Sequence, residues 1–106
     1  MRLLFDQGTP APLRVHLLKH SVSTVYEPGW SEFENGELLS RADSAGYEEL
    51  VTTDQNLKYQ QYRPERRLAI AVLMKPSWPR VEKHLDAVCT QIDSLQSGNY
   101  IEIQVP

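Results

Sequence analysis

Apolar positions along the chain switch between two rhythms, and the order of the switches predicts the elements. Leu3, Leu4 and Phe5 form a short apolar run, so Arg2–Phe5 reads as a first strand. Thr9, with Pro10 and Pro12 behind it, reads as a helix start, because first-turn amides lack intrahelical partners and a threonine can cap one of them. Leu13, Leu17 and Leu18, with Val15 nearby, carry that helix to about Lys19. "VSTVY", residues 22–26, predicts a second strand, and "EPGW" a loop. Leu38, Leu39, Ala42 and Ala45 fall at helical spacing between Asn35 and Gly46, with Gly46 placed as a stop.

"YEELVTTD" reads as a third strand that ends at or near Asp54. Gln55–Tyr62 predicts a short helix or an irregular loop, ended in either case by Pro64. "LAIAVLM", residues 68–74, shows no alternation, the mark of a strand covered on both faces in a parallel sheet. Val81, Leu85, Val88, Ile92 and Leu95 then recur every three or four positions, predicting one amphipathic helix that ends near Ser97 and Gly98. Ile101, Ile103 and Val105 alternate with Tyr100, Glu102 and Gln104, which suits a strand near the sheet edge. Strands alternating with helices in this way imply an α/β fold. The expected form is a three-layer α/β/α sandwich around a mostly parallel sheet of about five strands, in one domain spanning residues 1–106.

Composition narrows the class. The chain has 106 residues, 41% of them hydrophobic and 24% charged, as expected of a soluble globular protein. Its longest apolar run has seven residues, far short of the ~20 that cross a bilayer, and the start lacks a signal-peptide pattern, so the expectation is a cytoplasmic protein with no membrane partner. Cys89 is the only cysteine, which excludes an intrachain disulfide and a cysteine-built zinc cage. The net charge of −3 argues against broad capture of nucleic acid. A local patch is another matter: Lys58, Arg63, Arg66, Arg67, Lys75 and Arg80 hold 6 of the 11 basic residues.

In open parallel sheets, ligands bind beyond the carboxyl ends of the strands, where the strand order reverses. Asp6 and Asp54 stand at two such ends, and Glu37 lies in the first turn of the second helix. Three converging acids repel unless a divalent cation offsets them, and Mg²⁺ or Mn²⁺ are the hard ions that take oxygen ligands. Such an ion polarises a phosphodiester and activates a water. Each acid also has a local alternative: Asp6 as a turn former, Asp54 as a cap for the segment after it, Glu37 as a favourable charge at a helix N-terminus. The arginines of "YRPERR" can hold phosphates, and Tyr59, Tyr62 and Trp78 can stack on unpaired bases, or the whole stretch can be a solvated loop. Trp30 and Trp78 can instead anchor a partner chain.

"LLFDQGTP", then "NGELL", then "LVTTDQNL", then an all-apolar strand, resembles the PIN-like superfamily over essentially the whole chain, in particular a short bacterial branch of toxin-like domains. The resemblance implies a Mg²⁺- or Mn²⁺-dependent ribonuclease, often a toxin paired with an antitoxin protein. It implies that Asp6, Glu37 and Asp54 bind metal. Asn56 would help position water or metal, and Lys58, Arg63, Arg66 and Arg67 would hold the RNA backbone. Where related sequences carry further acids, this chain has Gln7, Asn35 and Asn56. That thinning supports an alternative, a module with weakened chemistry that acts through a protein partner or a homodimer.

Other constellations carry less. His16 and His20 lie four apart on the first expected helix, but no third zinc ligand accompanies them, and a solvated helix face is the expectation. His84 and Cys89, five apart, do not share a helix face, and Cys89 adjoins the core stripe at Val88. Ser31 and Ser40 lack a glycine-flanked elbow, and Gly8 and Gly29 stand alone, so neither a serine triad nor a phosphate loop has support.

Overall fold

The computed structural model describes residues 1–33, 35–55, 57 and 67–105. Five strands form one parallel sheet: β1 (Arg2–Phe5), β2 (Ser21–Thr24), β3 (Glu49–Thr52), β4 (Ala69–Leu73) and β5 (Tyr100–Ile103). Their order is β2-β1-β3-β4-β5, so the chain steps outward from β1 to β2, crosses back over β1 to β3, and then continues the other way. The order therefore reverses between β1 and β3. Among the described residues, three α-helices accompany the sheet: α1 (Asn35–Ser44), α2 (Trp78–Glu82) and α3 (Leu85–Ser94). Among the described residues, no helix is long and apolar enough to cross a membrane.

Side chains alternate across a strand, and here the alternation divides the core. Leu3, Phe5, Val51, Ala69, Ala71, Leu73 and Ile103 meet Val81, Val88 and Ile92 of α2 and α3. Leu4, Leu50, Ile70 and Val72 meet Leu38, Leu39 and Ala42 of α1, together with Leu57 and Leu68. Every residue of β4 is buried, as the unbroken apolar run requires. Burying a Leu, Ile or Phe side chain completely is worth about 1.5–3 kcal/mol, so these two clusters supply most of the drive for the fold. β5 lies at the sheet edge, and Gly46, at φ +86°, ends α1, both as the residue pattern predicts.

Two expectations require correction. The first helix is a 3₁₀ turn over Ala11–His16, held by i→i+3 bonds such as Leu13 N–H to Pro10 O at 3.1 Å. Pro10 and Pro12 remove donors from the segment. Its apolar residues also do not share a face: Leu13 and Leu17 are buried, whereas Val15 is 66% and Leu18 88% exposed. Thr9 is not its cap, because the Thr9 hydroxyl donates instead to Val51 O at 2.8 Å. The long helix after "KPSWP" is two helices, α2 and α3. An i→i+3 bond from His84 N–H to Val81 O ends the first, and the second restarts from His84 O, which accepts from Val88 N–H at 3.0 Å. Val81 and Val88 stay in the same cluster across the break.

One outward amide at the β2 edge is covered by a side chain. The Thr24 amide donates to a Glu27 carboxylate oxygen, and Arg14 holds the other oxygen of that carboxylate at 3.2 Å. The bond from Thr24, with a smaller share from Arg14, keeps the Glu27 carboxyl below its usual range.

Candidate functional site

The reversal point is closed by hydrogen bonds from two loops. Asp6 N–H donates to Val51 O at 3.0 Å, which extends the β1–β3 pairing one residue past β1. Thr9 N–H donates to Asp6 O at 3.1 Å and completes a tight turn over residues 6–9. The Asp6 carboxylate is half-buried and faces inward from that turn. Its Oδ1 accepts from Gln7 N–H and its Oδ2 from the Thr52 hydroxyl, each at 2.7 Å. The same Thr52 oxygen accepts from Asp54 N–H at 3.1 Å. Thr52 is fully buried, so its hydroxyl ties the backbone of Asp54 to the carboxylate of Asp6.

The two loops touch closely beside this bond. A methyl group on Gly8 would overlap the Thr53 hydroxyl, so the turn needs a residue without a side chain there. Gln7 Nε2 donates to Ser31 O and draws in the loop ahead of α1. Trp30 in that loop packs with Phe33 and, edge-on at 6.0 Å, with Tyr47.

Of the residues singled out from the sequence, Asp6 and Asp54 are brought together at the carboxyl edge. Glu37 is exposed in the first turn of α1, where it pairs with Arg41 one turn on at 3.6 Å. Arg67 precedes β4 and therefore lies at the amino edge, across the sheet from Asp6 and Asp54. It lines a cleft of about 330 Å³ there with Met1, Glu48 and Ser97. Asn56, Lys58, Arg63 and Arg66, with Tyr59 and Tyr62, lie outside the described residues.

His16, His20 and Cys89 each have a partner inside the protein. His16 stacks on the Trp78 ring at 6.0 Å, whereas His20 is buried and meets Asp93 Oδ1 at 2.5 Å. His16 is exposed, as expected, whereas the His20 side chain is not, so the two share no face. Cys89 packs against the core, donates weakly to His16 O, and has its thiol pushed up by burial and by the charges of Asp93 and Asp86. A raised thiol is a poor nucleophile.

Three participants were not singled out from the sequence. Thr52 is one: a hydroxyl in the last position of a strand, two residues before an acid, becomes a signal only once the register of β1 and β3 is known. Glu102 and Tyr100 are the others. Glu102 is in register with Val72 and through it with Thr52, and it accepts from the Tyr100 hydroxyl at 3.0 Å. Burial pushes that hydroxyl up to about 12, helped by Glu102 and, less, by the charge of Asp54.

Chemically, the edge offers carboxylate oxygens. Each Asp6 oxygen already accepts one bond and retains further acceptor capacity, and Asp54 is half-buried beside it. Carboxylate oxygens are the ligand type that Mg²⁺ takes, one or two at a time together with several waters. Among the described residues, no three His, Cys, Asp or Glu side chains form a group that could hold a metal ion. Comparison with protein-family models, with curated proteins and with solved structures finds no match to the chain.

Proposed function

We propose that this chain is a PIN-like, divalent-metal-dependent ribonuclease with a three-layer α/β/α architecture, working from the carboxyl edge of β1 and β3. One observation carries the reading. Asp6 and Asp54 leave adjacent strands where the strand order reverses, and the Thr52 hydroxyl bonds to both residues. The PIN-like likeness of "LLFDQGTP", "NGELL" and "LVTTDQNL" supports it, as does a core split between the two faces of the sheet.

Asp6 and Asp54 would hold Mg²⁺ or Mn²⁺, with Glu37 as the third acid. Bound there, the ion supplies charge neutralisation for a phosphodiester and an activated water. The protein's part is orientation: the Gln7 amide and Thr52 hydroxyl fix the Asp6 carboxylate before any ligand arrives. Asn56 positions the water, and Lys58, Arg63 and Arg66 hold the RNA backbone; Arg67, at the amino edge, takes no part beside the acids. In this reading the protein is cytoplasmic and is the toxin of a toxin–antitoxin pair. Purified protein should cleave RNA with Mn²⁺, and Asp6→Asn should abolish cleavage; equal activity in that variant would sink the proposal.

A second reading, a binding module that acts through a protein partner or a second copy, is favoured by a specific observation. Both Asp6 oxygens already accept hydrogen bonds, and Glu37 is paired with Arg41. Ligand binding to the native state raises the melting temperature, so millimolar Mn²⁺ separates the two. A rise supports the nuclease; no rise, with a dimer on a sizing column, supports the module.

A further inference from the structure

Glu49 opens β3 at the amino edge of the sheet, far along the strand from Asp54. It is 0% exposed, and neither carboxyl oxygen has a hydrogen-bond partner among the described residues. A buried polar group without a partner is costly, and a buried charge more so. Its neighbours in register are apolar, Leu3 on β1 and Ala69 on β4. Alternation with Val51 turns it toward the face that α3 covers. There Asp93 of α3 acts on it as a like charge, and the amino group of Met1 partly offsets that. Asp93 in turn holds His20, whose side chain is 5% exposed and whose Nδ1 is also buried without a partner. Among the described residues, three buried polar atoms on two side chains thus lack a partner, in a place the carboxyl-edge site does not use.

We propose that Glu49, Asp93 and His20 form a proton-operated latch at the amino edge of the sheet: the closed edge keeps a proton on Glu49, the open edge releases it, and rising pH therefore favours opening. Closed, the latch seats α3 and the turn carrying His20 over β3. Opened, it gives the Glu49 oxygens and His20 Nδ1 water in place of missing partners, and it separates the Glu49 carboxylate from Asp93. Burial, with Asp93 adding to it, pushes the Glu49 carboxyl up from about 4.5 to about 8. Between those two values the closed edge binds one more proton than the open edge. Opening then gains about tenfold per pH unit and levels off above the upper value.

Hydrogen exchange on the intact protein tests this. The amides of Ser21, Glu48 and Ala69 bond across the amino edge, to Met1 O, Arg2 O and Glu48 O, while Asp6 and Met74 bond at the carboxyl edge, to Val51 O and Ile103 O. Where protection stays below the limit set by global unfolding, which carries the same Glu49 linkage, that at the first three should fall by about tenfold per pH unit from about pH 5 to about pH 8, and that at the last two far less. Glu49→Gln, which has no proton to release, should hold all five level. Equal pH dependence at both edges, or an unchanged fall in Glu49→Gln, overturns the latch. Should that variant fail to fold, carbon-detected titration of the Glu49 carboxyl in the unaltered protein decides: a midpoint near 8 supports the latch, and one near 4.5 overturns it.

Discussion

Thr52 donates its hydroxyl proton to Asp6 at 2.7 Å, across the junction of the two strands between which the strand order reverses. The bond makes the orientation of one acid depend on the strand that delivers the other. Thr52→Val keeps the shape and removes the donor. Hydrogen bonds to charged groups are worth about 1.5–3 kcal/mol, so urea unfolding should show a loss on that order, whereas Thr52→Ser should recover most of it. A Thr52→Val protein as stable as the original would mean the bond carries no weight.

Glu37 allows activity to be separated from stability. Its pair with Arg41 is an exposed i,i+4 contact, a class worth about 0.3–0.5 kcal/mol. Glu37→Gln should therefore leave the melting temperature nearly unchanged. If Glu37 is a third metal-holding acid, the same variant should need more Mn²⁺ to reach half-maximal RNA cleavage. An unchanged Mn²⁺ dependence would remove Glu37 from the site while leaving Asp6 and Asp54 in it.

Global stability should fall as the solution becomes more alkaline over a defined window. The folded protein binds the Glu49 proton up to about pH 8, whereas the unfolded chain releases it near 4.5. This contribution is therefore fully present below the lower value and is lost as pH rises through the upper one, amounting to roughly 5 kcal/mol at most. The urea midpoint of Glu49→Gln, compared with that of the original at several pH values, should gain steadily between the two. A constant difference across the range would contradict the burial of this carboxyl.

Gly46 combines two requirements. Its φ of +86° lies in the left-handed region, and a Cβ there would approach Arg2 Nη1 to 2.9 Å. That guanidinium donates to Ala45 O at the end of α1 and lies 4.5 Å from the centre of the Tyr47 ring. Gly46→Ala should cost on the order of 1–2 kcal/mol by the backbone term alone, measured by thermal unfolding. A neutral result would place the helix stop elsewhere.

Much of this architecture is readable from residue pattern, and the reasons are local. Arg2–Phe5 and the unbroken "LAIAVLM" run mark strands because covered strands have no polar side to show. Gly46 marks a helix end because few residues tolerate its conformation. The first expected helix fails because Leu13, Val15, Leu17 and Leu18 satisfy a spacing rule that two prolines and a 3₁₀ turn then ignore. At the site, Asp6 and Asp54 are legible as acids at strand ends. Thr52 is not, since a strand-end threonine is ordinary until the register across β1 and β3 is known. Arg67 shows the same limit: adjacency to a basic run says nothing about which edge of the sheet a residue reaches.

Glu27 covers the outermost amide of β2 and is itself pinned by Arg14. A passing extended segment that tries to add itself alongside this strand meets a side chain already in its place, and next to it a negative charge. Neutralising Glu27 would thus do more than loosen one contact. It would leave that amide open to pairing with another extended segment.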